Sequence, residues 1–371
     1  MTKWFEGQSI PMGLDINDMS LKIVQFVKKG NGFSVLGYSD NSVPKDVFAA
    51  DKIKNADSLS KVIREAVAKP KFGNFSGKEV VASIPETRSF VRVIQIPRMS
   101  EDEAKEAVPW EAEAYIPLPI SQVYLDWMFL GPAMEQVNAQ DAEKKINVLI
   151  TAAPRDYVDD LVKVIKNAGL RPVALEIESQ ATARSLIGQP QETVLIADID
   201  TVRTSFIIAE RGVVHFTSSA PIAGNSFTES ISKALSVNFE EAEEIKREYG
   251  IDPTAHRGAL KKNLMSVLKN LTVEIKNTIR FHDDHSDPGH KIPRLLLSGG
   301  SSKLKHLPSF LHEQLSQGEE GHEDSSLQNL RVELGNPWTR ILKKGETPPM
   351  SREDSLSFAT AIGLGLREIE L

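Results

Sequence analysis

The chain has 371 residues, 40% of them hydrophobic and 26% charged, with a formal net charge of −7. Such a length accommodates two domains or one large α/β pair, and the acidic balance argues against a general binder of nucleic-acid backbones. With no cysteine there is no disulfide, thiolate zinc site or cysteine nucleophile, which fits a reducing cytosol.

The opening MTKWFEGQSIPMG lacks the basic-then-apolar order of a signal segment. No window supplies the roughly 18 to 20 apolar residues of a bilayer span. A cytoplasmic chain is expected, with no direct membrane insertion. From Met12 the pattern runs apolar, breaks at Asp15-Ile16-Asn17-Asp18, and resumes as strand after Ser20. FVKKGNGFSVLGYSDNSV then reads as strand, Gly-Asn-Gly turn and strand. Leu59, Val62, Ile63 and Ala66 mark one face of a helix over 57–68. KEVVASIP and SFVRVIQIP read as proline-bounded strands. Ser100 and Glu103 have capping-box spacing and open a helix that Pro109 is expected to kink or interrupt.

INVLITAAP is a further strand, followed by a helix with Val158, Leu161, Val162 and Ile165 on one face and Gly169 as its stop. RPVALEIES leads into the short helix QATARSLI, and QPQE reads as a crossing between halves. The second half opens with TVLIADIDTVRTSFIIAERGVVHFTSSAPI. A helical segment over 226–249 is expected to break near 236–238, and another runs from about Lys261 to Phe281. HDDHSDPGH, SQGEEGHEDSSLQN and KKGETPPM read as loops, PRLLLSGGS as strand and turn, KLKHLPSFLHEQL and SLSFATAIGLGLREI as helices. Alternating strands and helices give an α/β class.

One oddity recurs. GLDINDMSLKIVQFVKKG and IADIDTVRTSFIIAERG superpose: an apolar strand ends in Asp-Ile-Asn or Asp-Ile-Asp, a polar turn follows, then a β-rich strand, a basic residue and a glycine turn. The copies lie about 180 residues apart, which points to internal duplication. An acidic hairpin turn alone is ordinarily structural; its recurrence makes a ligand-binding reading competitive. Paired carboxylates and turn amides suit a metal-bound polyphosphate. LLLSGGSSKL adds a strand running into glycines and a helix start, where backbone approaches a ligand closely.

In this order the motifs resemble the actin/Hsp70/sugar-kinase superfamily. Residues 15–22 match its first phosphate loop, 198–204 its second and 296–302 its adenosine loop, with EIESQATARSL and SFATAIGLGLR as connecting helices. Within that superfamily the chain resembles the PilM family of type IV pilus assembly. The likeness is carried by WEAEAYIPLPISQVYLDWMFLG, VLITAAPRDYVDDLVKVIKNAGLRPVALEIESQATARSL, PIAGNSFTESISKALSVNFEEAEEIKREYG and RVELGNPW.

The resemblance implies an actin-like ATPase fold of two duplicated halves, 1–190 and 191–371, flanking a nucleotide cleft. It also implies an inserted α+β subdomain over about 79–174. Carried over by position, Asp15 and Asp198 orient hydrated Mg2+, and Glu178 is a third, catalytic carboxylate near the metal. Backbone around Asn17, Asp18, Met19 and Ser20, and from Asp200 through Thr201 to Thr204, cradles the phosphates of ATP, with Lys22 as a further contact. Gly224 and Asn225 lie near phosphates and ribose, Glu243 and Lys246 near ribose and base, and Gly299, Gly300 and Ser301 border the adenosine.

Asn17 and Asp200 stand where the family has glycine. Asn tolerates a left-handed backbone, whereas Asp200 sets a second negative charge beside a polyphosphate. At ~4 Å and an effective dielectric near 20 that costs about 4 kcal/mol. Weak nucleotide binding and little or no ATPase activity are therefore expected. The implied output is partner binding: a scaffold holding the N-terminal cytoplasmic peptide of an inner-membrane PilN-like protein, extended beside the inserted subdomain. SFVRVIQIP and AYIPLP are the candidate regions. Pilus motor components are further candidate partners, and homo-oligomerisation is left open. The rival readings are an ATP-hydrolysing enzyme, a small-molecule kinase of the same fold, or an FtsA-like cell-division filament protein.

Other features read as structural. His282, His285 and His290 fall in what looks like a solvated turn rather than a metal site. FEEAEEIKRE reads as an exposed helix face with i,i+4 pairs, with Lys246 open to a nucleotide role. Trp110 and Trp127 read as packing residues, and ATAIGLGL as a buried connecting helix too short to anchor in a membrane.

Overall fold

The computed structural model describes residues 10–367 except 30–31, 50–51, 131–144, 189–191, 253, 286–290, 318–326, 328 and 343–346. The Gly30–Asn31 turn, the crossing at 189–191, His290 and most of the loops expected at 316–329 and 343–350 lie outside the described residues. Two compact units emerge. One comprises residues 1–26, 36–178 and 215–217, the other 27–35, 179–214 and 218–371.

The first half of the chain runs β1 (Met12–Ile16), β2 (Ser20–Lys29), β3 (Gly32–Ser42), then the short pair β4 (Phe48–Ala49) and β5 (Lys52–Ile53). Next come α1 (Ala56–Ala68), β6 (Phe72–Gly73), β7 (Glu79–Ile84), β8 (Phe90–Pro97), α2 (Glu101–Glu113), β9 (Val123–Leu130) and β10 (Lys145–Pro154), followed by α3 (Arg155–Asn167) and β11 (Arg171–Ile177). Its main sheet has the order β11-β7-β1-β2-β3-β6. β1 pairs antiparallel with β2 and parallel with β7, which pairs parallel with β11. β1 is buried along its whole length, Asp15 included, as a strand covered on both faces must be. Met12, Leu14, Ile23 and Val80 share a core with Leu59 and Ile63 of α1 and Leu161 and Ile165 of α3.

A separate sheet, β8-β10-β9, starts at Phe90. Ile94, Ile96, Val148 and Ile150 pack against Ala104, Val108 and Ala112, which lie one turn apart along α2. Ser100 and Glu103 form the expected capping box. Pro109 does not interrupt α2, which continues to Glu113. It sits in the last turns, where a missing N–H and local crowding disturb little remaining helix. Trp110, expected to pack, is 77% exposed, because the stripe 104/108/112 faces the sheet and Trp110 lies on the other side.

The second half runs α4 (Glu178–Leu186), β12 (Val194–Ile199), β13 (Thr204–Glu210), β14 (Val213–Ala220), α5 (Gly224–Leu235), α6 (Phe239–Tyr249) and α7 (Ala259–His285). β15 (Arg294–Ser298), α8 (Leu307–Ser316), β16 (Arg331–Leu334), α9 (Arg352–Ser355) and α10 (Ala359–Gly365) complete it. The sheet order is β14-β13-β12-β15-β16, with β12 antiparallel to β13 and parallel to β15, and β15 parallel to β16. Strand for strand this repeats β3-β2-β1-β7-β11. The expected helix break falls at Ser236, left-handed at φ 54, and Asn238 caps α6.

Buried Leu260, Leu264, Leu268, Leu271, Ile275 and Ile279 give α7 its helical stripe. α7 extends through His285, so His282 and His285 are helical rather than in a loop. His282 is buried and bonds Glu210 at 3.1 Å and Asp283 at 3.4 Å. Those carboxylates outweigh the burial that would lower its pKa, leaving it raised. α10 meets α4 where Gly363 lies so close to the Ala181 carbonyl that a Cβ would overlap it. Thr182 and Thr360 share a hydrogen bond of 2.9 Å across that crossing.

Candidate functional site

In the first unit the turn at 17–20 joins β1 to β2, with Asp15 opposite Lys22 and Ile16 opposite Leu21. The Asn17 N–H donates to the Ser20 carbonyl at 3.0 Å. Its carboxamide oxygen folds back and accepts from the N–H groups of Met19 at 3.0 Å and Ser20 at 2.8 Å, and from the Ser20 hydroxyl at 3.2 Å. Lys22 is buried and its Nζ donates to Ser20 Oγ at 2.7 Å. The amides expected to meet phosphate therefore meet a side chain of the same turn. Asp15 is also buried, its Oδ1 accepting from Ser83 Oγ at 3.0 Å while that oxygen accepts the Ile16 N–H at 3.0 Å.

Asp18 pairs with Arg88 at 3.1 Å. Arg88 belongs to the single turn Glu86–Arg88 that follows β7. Its guanidinium lies 4.8 Å from the ring centres of both Phe48 and Tyr157. Burial drives the Tyr157 pKa up to about 12 against the opposing effect of Arg88. Glu178, at the start of α4, accepts the Glu86 N–H at 3.2 Å and so is tied to the same turn. Arg88 escaped sequence reasoning: its partner is 70 residues away and ETR looks like a link between strands.

The second unit repeats the turn. Asp198 stands opposite Ser205, Ile199 opposite Thr204, and the Asp200 N–H donates to the Arg203 carbonyl at 3.0 Å. Here the turn is drawn onto the start of α5. Gly224 N–H donates to the Asp200 carbonyl at 2.9 Å and Asn225 N–H to the Thr201 carbonyl at 2.8 Å. The Ser301 hydroxyl donates to the same Asp200 carbonyl at 3.0 Å. The Thr204 hydroxyl donates to the Ile222 carbonyl at 2.5 Å.

Glycines permit this convergence. A Cβ on Gly224 would stand 2.3 Å from Ser301 Oγ. Gly299 has φ +83, and its Cβ would lie 2.4 Å from the Ile199 carbonyl oxygen and 2.8 Å from Asp198 Oδ1. Gly300 differs: the nearest atom to its Cβ would be Ser357 Cβ at 3.9 Å, so its flank is open.

Lys246 is not on an exposed face. Its buried Nζ donates to the Gly224 carbonyl at 3.1 Å and Thr228 Oγ1 at 2.9 Å, and pairs with Glu243 at 2.6 Å. Burial pulls the Lys246 pKa down. Burial pushes Glu243 up, but hydrogen bonds from Lys246 and Thr228 outweigh it and hold the carboxyl below its ordinary value. Arg247 supplies the expected i,i+4 pair to Glu243 at 2.9 Å.

Asp198, Asp200, Thr201, Thr204, Gly224, Asn225, Glu243, Lys246, Gly299, Gly300 and Ser301 all fall in the second unit, and Asp15, Asn17, Asp18, Met19, Ser20, Lys22 and Glu178 in the first. Neither Asn17 nor Asp200 has a left-handed backbone; among the described non-glycine residues Arg211, Ser236 and His306 do. The expectation that Asn17 preserves a left-handed turn is thus corrected. What matters at 17 is its side chain.

No three His, Cys, Asp or Glu side chains converge as a metal chelate among the described residues. Single carboxylates fit Mg2+ held through its waters, which that ion gives up reluctantly. The open flank of Gly300 fits a sugar or ring laid against backbone, whereas the amides at 19 and 20 already have an acceptor.

Sheets repeated strand for strand, each with an acidic turn at its central hairpin, define an actin-like fold. A solved MreB5 of Spiroplasma citri, bound to AMPPNP, is similar at TM-score 0.52 and 12% identity over 98% of this chain and 96% of that one. Residues 13–369 match the family described as type IV pilus assembly protein PilM, and the chain belongs to that family. The PilM–PilN type IV pilus biogenesis complex contains a chain similar at TM-score 0.77 and 27% identity, covering 98% of this chain and 99% of that one. The cell division protein FtsA of Neisseria meningitidis serogroup B (strain ATCC BAA-335 / MC58) is 27% identical over 119 residues, 32% of this chain and 29% of that relative.

Proposed function

We propose that this chain is a nucleotide-responsive scaffold of type IV pilus assembly that holds the N-terminal cytoplasmic tail of a PilN-like inner-membrane protein. The observation that carries this reading is the likeness, over nearly the full length of both chains, to the PilM of a PilM–PilN complex. The sheet β8-β10-β9 with α2 supports it. β9 has β10 on one side, and its exposed Tyr124, Asp126 and Met128 share one face of the strand, with Arg155 stacked on the Tyr124 ring. An extended tail gripped through alternate side chains suits such a surface. Among the described residues no helix is long and apolar enough to cross a membrane. Residence at the inner face of the membrane would therefore come through the partner.

ATP is the proposed nucleotide. Gly300 with Gly299 and Ser301 would border its adenosine, and Glu243 and Lys246, fixed on α6, would flank it. Gly224, Asn225, Thr201 and Thr204 would line the phosphates beside Asp200. Mg2+, held through its waters, would supply charge neutralisation for the phosphates, with Asp198 its candidate carboxylate in the second unit and Asp15 that in the first. Glu178 positions the turn at Glu86 and is assigned no proton transfer. Hydrolysis is expected to be slow or absent, and phosphate release by purified chain tests this against the ATPase and kinase readings.

The test of the scaffold reading is fluorescence anisotropy of a labelled N-terminal tail peptide titrated with the full chain. Saturable micromolar binding, weakened when Tyr124 and Met128 are both changed to Ala, is expected. No saturation would remove the scaffold assignment, and binding unaffected by the double change would move the groove elsewhere.

A further inference from the structure

We infer that Asn17 is a built-in occupant of the first turn, its carboxamide oxygen holding the position an incoming phosphate oxygen would need. This rests on the nucleotide reading above and states what regulates affinity within it. Two successive backbone N–H groups and one hydroxyl converge on that single oxygen, at 3.0, 2.8 and 3.2 Å. Successive amides aimed at one point form the concavity that receives anions in turn-built phosphate sites. Here the acceptor is neutral and covalently attached, so it is always present at the site.

The buried Lys22 reinforces the arrangement. Its Nζ donates to Ser20 Oγ at 2.7 Å, and that hydroxyl passes its own proton toward Asn17 Oδ1. A phosphate oxygen reaching Met19 and Ser20 must first expel the carboxamide. Each hydrogen bond so displaced corresponds to roughly a factor of five in affinity. The backbone adds nothing to this cost, since Asn17 is not left-handed and alanine can follow the same path.

Three substitutions separate the side chain from the backbone. Asn17→Ala removes the oxygen with the backbone unchanged. Asn17→Gly removes it and adds backbone freedom. Asn17→Asp keeps an acceptor and adds a charge that repels phosphate. Binding of Mg-ATP to the full chain is measured by titration calorimetry, with folding verified for each variant by circular dichroism and thermal melting. We expect Asn17→Ala and Asn17→Gly each to tighten binding at least fivefold and Asn17→Asp to weaken it by a similar factor.

Gly300→Val serves as the test of the nucleotide reading itself, because its side chain would fill the open flank. If Gly300→Val abolishes binding while all three Asn17 variants match the wild type, the occupant role is wrong and the nucleotide reading stands. If only Asn17→Gly tightens binding, backbone freedom rather than the carboxamide is responsible, which also overturns the inference. If Gly300→Val binds as the wild type does, or no variant binds at millimolar nucleotide, the nucleotide reading fails and the inference with it. Should Asn17→Ala fail to fold, the Asn17→Asp variant, which retains the cap, still decides: unchanged affinity refutes the role.

Discussion

The turns at 17–20 and 200–203 share one register, each closed by an N–H bonded to the carbonyl three residues on at 3.0 Å, yet their surroundings diverge. In the first, a side chain folds back over its own amides, while Arg88 and Ser83 hold the flanking carboxylates. In the second, the backbone carbonyls of Asp200 and Thr201 reach outward to α5 and to Ser301. One copy is satisfied internally; the other joins three loops into a platform with an open edge at Gly300. Duplication has kept the backbone, and the difference in chemistry follows from which groups receive the turn's hydrogen bonds.

The largest expected effect would break the platform. Gly299→Ala forces a side chain into the Ile199 carbonyl at a left-handed position and should cost about 3 kcal/mol or prevent folding. Gly300→Ala, one residue on, should stay within ~0.5 kcal/mol. Urea unfolding of both measures the contrast, and equal losses would show that the flank of Gly300 is not open. Next are the buried lysines. Lys246→Ala removes a cation with three partners and should lose about 2 kcal/mol, whereas Lys22→Ala in the first turn should lose about 1 kcal/mol. The reverse order would contradict the description of the second turn as the more interlinked.

Asn17→Ala should lower stability by about 0.5–1 kcal/mol, as removal of a cap does, even as nucleotide affinity rises. The smallest effect lies at the end of β13 farthest from the second turn, at Glu210. His282 is held above its ordinary pKa by Glu210 and Asp283. A group raised in the folded state stabilises most below its unfolded pKa, and that contribution is lost as pH climbs through the folded value. The stability gap between wild type and His282→Gln should therefore be widest below the ordinary imidazole pKa of ~6.5 and shrink as pH climbs through the raised folded value. A gap that widens with pH would contradict the assignment.

Much of this was readable from residue order. The repeated Asp-Ile-x turn, the glycine doublet after an apolar strand and the leucine spacing of α7 are local patterns, and local patterns survive translation into structure. The exposure of Trp110 was readable too, because Ala104, Val108 and Ala112 already define the inward face. Other features depend on contacts between distant segments. Arg88 finds Asp18 only once β7 lies beside β1, and polar His282 is buried only because Glu210 meets it. Asn17 shows a third limit: its residue type suggested a backbone role, and its hydrogen bonds reveal a side-chain one.

Hydrogen exchange of the full chain, with and without Mg-ATP, tests most directly whether the two turns have parted in function. Protection should rise at 196–206, 222–228, 243–249 and 297–303 in the second unit, where bound nucleotide would hold the joined loops against opening. It should change little at 15–22, where the Asn17 side chain keeps phosphate from the Met19 and Ser20 amides. No gain anywhere, or a gain greatest at 15–22, would contradict the account.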